Sequence, residues 1–169
     1  NILTLGNSVK GREFLIEALS IKRELNNDKP SEIRILSNLA LASQVLGELE
    51  KQIEYAQNGL KISKDINDKG FQIDLMQSLG IAYENIGQVD KALDLLQQAV
   101  KLAQSEKLKA KEITALLQTA SVYNSSRELE KAKEIQEKAL IEANNFKDKK
   151  LINLVLGNLG HTLSELWEY

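Results

Sequence analysis

An all-helical chain, built as a solenoid of stacked antiparallel helix pairs, is predicted by three features of these 169 residues. First, Leu46-Gly47-Glu48-Leu49-Glu50-Lys51 returns 40 positions later as Ile86-Gly87-Gln88-Val89-Asp90-Lys91 and, with drift, after another 40 as Ser126-Arg127-Glu128-Leu129-Glu130-Lys131. A unit of this length is too small to bury its own apolar face, so each must stack on its neighbours. Second, the chain holds a single proline, and its apolar residues are mostly Leu, Ile and Ala, a balance that favours helix over sheet. Third, Val89, Ala92, Leu96, Ala99 and Ala103 fall at alternating steps of three and four, one apolar stripe on a helix. Stacking of this kind gives an elongated array with broad surfaces in place of one closed pocket, which points to binding as its work.

The elements follow in order. The N-terminal part joins the repeat through one inserted residue, because Leu5-Gly6 and Lys10 match Leu46-Gly47 and Lys51, and Ala18-Leu19 match Gly59-Leu60, at a spacing of 41. A helix over about 9–27 is therefore the second member of a pair whose first is only a stub. Near Asn27-Asp28-Lys29-Pro30 the chain breaks, since Pro30 interrupts a helix and Ser31 is a good N-cap.

First helices are expected at about 31–46, 71–86, 109–125 and 149–167, and second helices at about 49–67, 89–105 and 129–145. In the first helices Leu39, Leu79, Thr119 and Leu159 align, followed by a small column of Ala40, Gly80, Ala120 and Gly160 where a neighbouring helix crosses closely. One turn on, Ser43, Tyr83, Tyr123 and Leu163 share that face, with the rings filling the gap between helices. The second helices have their own small column at Gly59, Ala99 and Ala139, beside Leu60, Val100 and Leu140. Between the pair members, Gly47 and Gly87 suit a left-handed C-terminal cap, and Glu50, Asp90 and Glu130 put negative charge in the following first turn. Short connections force antiparallel neighbours. The chain reads as one array over 1–169: a partial repeat at 1–28, repeats at 31–68, 71–107 and 109–147, and a partial repeat at 149–169.

Composition bounds the function. With 43% hydrophobic and 27% charged residues the chain is expected to fold. Its 22 basic and 24 acidic residues give a net charge of −2 without blocks of either sign, and only 5% are aromatic. No face then carries the positive field or stacking platforms that nucleic acid requires, so nucleic acid is not an expected partner. The absence of cysteine excludes disulfides, thiolate metal sites and thiol nucleophiles and fits a cytoplasmic setting. No apolar run approaches the roughly 18 residues of a membrane span, and no signal-peptide order is present, so no membrane association is expected.

No catalytic, cofactor or metal role is assigned. His161 is the only histidine, and no positioned partner for acid–base work is evident, so no enzyme is expected. Asp65-Ile66-Asn67-Asp68-Lys69-Gly70 resembles the start of a calcium loop, but Lys69 stands at a ligand position and Met76 where the closing glutamate belongs, which leaves a polar loop. Asn124-Ser125-Ser126 meets the bare glycosylation pattern at a predicted helix end, an incidental match. The nine glycines fall in repeat columns and turns, with no phosphate-cradling loop after a strand.

Leu79-Gly80-Ile81-Ala82-Tyr83, then Gly87, Ala92, Leu96, Ala99 and Val100, resemble the tetratricopeptide repeat (TPR) pattern, and the resemblance covers nearly the whole chain. The 40-residue period exceeds the common form of about 34 residues and is similar to the extended repeats of cell-polarity adaptors, kinesin light chains and bacterial peptide-responsive regulators. The family's aromatic in the first helix is replaced by Leu36, Met76, Leu116 and Leu156, and the third copy has Thr119 and Arg127 where Leu and Gly are usual, so a looser third turn is expected.

The resemblance implies a right-handed TPR-like superhelix whose first helices line a concave groove for a peptide or helix of a protein partner. Carried over by column, the groove presents Ser37, Gln77, Leu117 and Gly157; Asn38, Ser78, Gln118 and Asn158; Leu41, Ile81, Ser121 and His161; and Gln44, Glu84, Asn124 and Ser164. Leu41 and Ile81 would be apolar anchors among amide hydrogen bonds. Arg34 is the only strong base in the columns with which the family's chaperone-tail clamps hold a terminal carboxylate, and the Asn ladder of the polarity adaptors is replaced by Leu41, Ile81, Ser121 and His161. The leading expectation is thus a scaffold or adaptor binding a protein segment. The alternative is self-assembly, in which the half-repeats at 9–27 and 149–167 complete one another between chains, with Leu156, Leu159, Leu163 and Trp167 exposed.

Overall fold

The computed structural model describes residues 2–25 and 28–167, with side chains from residue 9 onward. The described residues form eight helices and no strand: α1 (Ile2–Leu25), α2 (Lys29–Val45), α3 (Leu49–Asp65), α4 (Lys69–Asn85), α5 (Val89–Ser105), α6 (Lys109–Ser125), α7 (Leu129–Phe146) and α8 (Lys149–Trp167). Helices α2 to α6 are each 17 residues long, and three-residue connections separate them, so two helices and two turns fill the 40-residue period.

The turns explain this regularity. Gly47 and Gly87 have φ of 72° and 75°, and Asn67, Lys107, Arg127 and Lys147, at the same spacing of 20, have φ between 57° and 61°. At Gly47 the backbone N–H donates to Gln44 O at 3.1 Å, and Glu48 N–H donates to Ser43 O at 2.9 Å. Such bonds satisfy carbonyls that a helix end otherwise orphans. Glycine holds the left-handed conformation without a Cβ clash, whereas Lys107 and Arg127 hold it because the packed helices on either side fix the chain path. The third turn is not looser: Arg127 and Glu128 donate to Asn124 O at 3.0 Å and Tyr123 O at 2.9 Å, the pattern of the glycine turns.

Aspartates start most of the first helices. Asp28 Oδ1 accepts from Ser31 N–H at 3.1 Å, Asp68 Oδ1 from Phe71 N–H at 3.0 Å, and Asp148 Oδ1 from Lys150 and Leu151 N–H at 2.8 and 3.2 Å. The cap of α2 is therefore Asp28 and not Ser31, and Pro30 lies inside the first turn, where its missing N–H is an orphan in any case. The calcium-loop-like segment is the left-handed turn at Asn67 followed by the Asp68 cap. Helix α1 also differs from expectation, running unbroken from Ile2 through Gly6.

Consecutive helices pack antiparallel. In addition α2 touches α4, α4 touches α6 and α6 touches α8, whereas among the described residues no member of the set α1, α3, α5 and α7 touches the next. The set whose members touch lies on the inside of the bend, so α2, α4, α6 and α8 form the inner curve.

The core runs between the two sets. Ala40, Gly80 and Ala120 are buried, and a β-carbon added at Gly80 would stand 2.8 Å from Leu96 Cγ. Gly160, the fourth member of that column, is exposed, because no second helix lies over α8 among the described residues. Leu36, Met76 and Leu116 fill the family's aromatic position from within the core. A buried polar column at Glu32, Gln72 and Glu112 ties the start of each first helix to the preceding second helix. Gln72 Nε2 donates to Ser63 O at 3.0 Å, Arg23 Nε donates to Glu32 at 3.0 Å, and Gln104 Nε2 and Lys109 Nζ each donate to Glu112 at 2.8 Å.

Candidate concave binding face

The inner curve is laced by bonds between first helices one repeat apart. Gln77 Nε2 donates to Lys111 O and to Thr114 Oγ1, both at 3.2 Å, and Lys111 pairs with Asp74. Ser125 Oγ donates to Glu84 Oε1 at 2.6 Å, and Asn124 Nδ2 donates to Thr162 Oγ1 at 2.9 Å. These contacts set the pitch of the array and sort the expected groove residues.

Gln77 and Leu117 are buried at 8% and 7% exposure and present little surface: the first spends its amide joining α4 to α6, and the second packs in the core with Ile113 and Val155. The column they share lies closest to the line where first helices touch. Ser37, Ser78, Gln118 and Asn158 are half-buried. Asn158 turns its Nδ2 back to Leu154 O at 2.8 Å, and Ser78 lends its carbonyl to Gln52 Nε2 at 3.0 Å. Gln118 holds its Oε1 buried without a hydrogen-bond partner.

The more open surface belongs to the remaining columns. Leu41 is 57% exposed, and Asn38, Ser121, His161 and Arg34 are also exposed. Gln44, Ile81, Glu84 and Asn124 are half-buried beside them. Arg34 Nη2 reaches Ser31 Oγ at 3.4 Å.

Between α6 and α8 this surface deepens into an open cleft of about 530 Å³. It brings together Ser121, Asn124, Asn158 and His161 and adds Ser125, Arg127 and Glu165, which the column reading missed. Ser125 and Glu165 directly follow Asn124 and Ser164 near the ends of the two helices, and Arg127 lies in the turn after α6. Glu165 stands 3.9 Å from both Arg127 Nη1 and His161 Nε2, so the cleft carries one carboxylate between two basic groups. Hydroxyls, amides and one mixed charge cluster equip it to hydrogen-bond a polypeptide. Among the described residues no group of three or more His, Asp or Glu could hold a metal ion, and no helix is long and apolar enough to cross a membrane.

The fold defines a class: an α-solenoid of TPR-like helix pairs. Residues 31–105 match the model of the tetratricopeptide repeat family, and the described chain continues the same TPR-like helical repeat on both sides of that segment. Among curated proteins, no sequence matches the chain.

Solved structures share the fold. One is a Podosopora anserina protein assigned as a kinesin light chain with nearly identical TPR-like repeats, at a TM-score of 0.75 and 18% identity over 96% of this chain and 81% of that one. A Rap protein complexed with competence and sporulation factor gives a TM-score of 0.83 at 14% identity, covering 99% of this chain and 46% of that one. Aspartyl phosphate phosphatase F from Bacillus subtilis gives 0.83 at 13% identity, covering 98% and 43%.

Proposed function

We propose that this chain is a non-enzymatic, cytoplasmic scaffold or adaptor that holds a peptide or helical segment of a partner protein on its inner curve. The observation that carries the reading is the combination on one face of exposed Leu41, half-buried Ile81 and the polar cleft between α6 and α8. An apolar anchor ringed by amides and hydroxyls suits an amphipathic segment, with shape supplying affinity and polar groups supplying register. The Rap structure complexed with competence and sporulation factor shows a ligand carried by a protein of this fold. Affinity capture with the parent, with Ile81→Asp and with Leu41→Asp/Gln44→Ala tests it: the variants lose the partner while helicity and melting stay at parental values. Equal retention by all three removes the assignment.

A second reading is favoured by the uncovered face of α8, where Gly160 and Leu156 are exposed and Trp167 is 88% exposed. On this reading α1 of another copy, whose Phe14 is 70% exposed, covers α8 and the chains join head to tail. Light scattering over a concentration series decides, a strict monomer excluding it.

A further inference from the structure

The outer face is not the same in every repeat. Because α1, α3, α5 and α7 do not touch one another, troughs separate them, floored by the first helices. Between α5 and α7 the trough opens into a cavity of about 270 Å³ whose apolar walls are Val100, Leu116, Tyr123 and Ile135. Its floor is Thr119, in the column that holds Leu39 and Leu79 in the preceding repeats. The Thr119 hydroxyl donates back to Ala115 O at 2.8 Å, leaving a single methyl where a leucine would fill the space.

The wall differs as well. In the preceding repeat Gln57 Nε2 donates to Tyr83 OH at 3.2 Å, whereas the counterpart pair Gln97 and Tyr123 makes no such bond among the described residues. Tyr123 keeps the Lys131 ammonium 5.4 Å from its ring centroid, as Tyr83 keeps that of Lys91.

The rim is cationic. Lys101 and Lys138 stand exposed at the cavity's edge, and neither has an ion-pair partner among the described residues. Glu112, which bonds the rim residue Gln104, and Glu142 are both engaged by Lys109. An apolar hole with two exposed ammonium groups at its lip complements an apolar side chain flanked by carboxylates. We infer that the outer trough between α5 and α7 is a second docking site, which takes one apolar or aromatic side chain of an acidic partner peptide and is separate from the inner curve.

Fluorescence anisotropy on the full chain tests this with two labelled synthetic hexapeptides, Asp-Glu-Phe-Leu-Glu-Asp and the basic control Lys-Arg-Phe-Leu-Arg-Lys. The acidic peptide binds saturably, the basic one does not, and binding weakens as salt rises from about 50 to about 300 mM. Thr119→Leu restores the floor residue of the earlier repeats, so it melts at or above the parent temperature, yet it weakens the acidic peptide by at least about tenfold. Lys101→Glu/Lys138→Glu, both on the surface, does the same, and Leu41→Asp leaves the affinity unchanged. The inference is overturned by equal binding of the two peptides, by no saturable binding of the acidic one, or by unchanged affinity in both variant proteins. Loss of binding in Leu41→Asp alone also overturns it, and would leave the inner-curve reading standing.

Discussion

Gly80 of α4 meets Leu96 of α5 so closely that a β-carbon on the glycine would lie 2.8 Å from Leu96 Cγ and 2.9 Å from Cδ2. Leu96 is fully buried and cannot swing away, so Gly80→Ala overpacks the contact. Helix propensity favours alanine by about 1 kcal/mol, and overpacking costs about 1–3 kcal/mol. The net is a loss, read as a lower urea midpoint. Gly160→Ala in the same column meets nothing within 4 Å and raises the midpoint.

The left-handed turns make a second pair of outcomes. Gly87→Ala has open space around the new methyl but must hold φ near 75°, which costs about 1–2 kcal/mol. Lys107→Gly releases strain of the same kind at an exposed position and stabilises the fold by less than that amount. Thermal melting of the two variants should move in opposite directions.

Gln136 stands in the column that holds Ala56 and Leu96, is 1% exposed, and has no hydrogen-bond partner for its Oε1. Removing an unsatisfied buried carbonyl recovers about 1–3 kcal/mol, so Gln136→Leu raises the chemical-denaturation midpoint. An unchanged or lower midpoint contradicts that assignment.

Acid removes stability in a defined window. The Ser31 side-chain and backbone bonds, with help from Lys22, hold Asp28 down from 3.8 to about 2. Burial pushes Glu112 up, but bonds from Lys109 and Gln104 and the charge of Lys138 outweigh it and leave the group below its ordinary 4.5. Glu32 follows the same logic, with burial opposed by Arg23 and Lys29. Each folded value lies below the unfolded one, so the stabilisation is present above about pH 4.5 and is lost as pH falls towards 2. On the alkaline side Lys109, bonded to Glu112 and Glu142, is raised from 10.5 to about 12, so its contribution is present below 10.5 and is lost as pH rises through about 12. Glu112→Gln should flatten the acid limb of a stability–pH profile.

Much of the architecture was legible because one constraint recurs every 40 residues. The small columns, the apolar stripe of α5 and the glycine turns all report the same helix crossings, and they place most boundaries within two residues. Lys107, Arg127 and Lys147 could not be read as left-handed, since nothing in those side chains favours that conformation and only the packed helices impose it. Gln77 and Leu117 looked available because a single helix does not reveal how tightly its neighbour one repeat away closes on it. Ser125, Arg127 and Glu165 were passed over because the repeat columns stop at Asn124 and Ser164, one residue short of Ser125 and Glu165, and Arg127 lies in the turn that follows α6.

Site-directed photocrosslinking in the native lysate tests the inner-curve account most directly. A benzophenone side chain is placed at Leu41 of α2, where the surface faces the concave side, or at Glu54 of α3, on the outer face. The account predicts that the Leu41 probe captures one polypeptide and that the Glu54 probe does not. Capture from Glu54 alone, or equally from both, contradicts it.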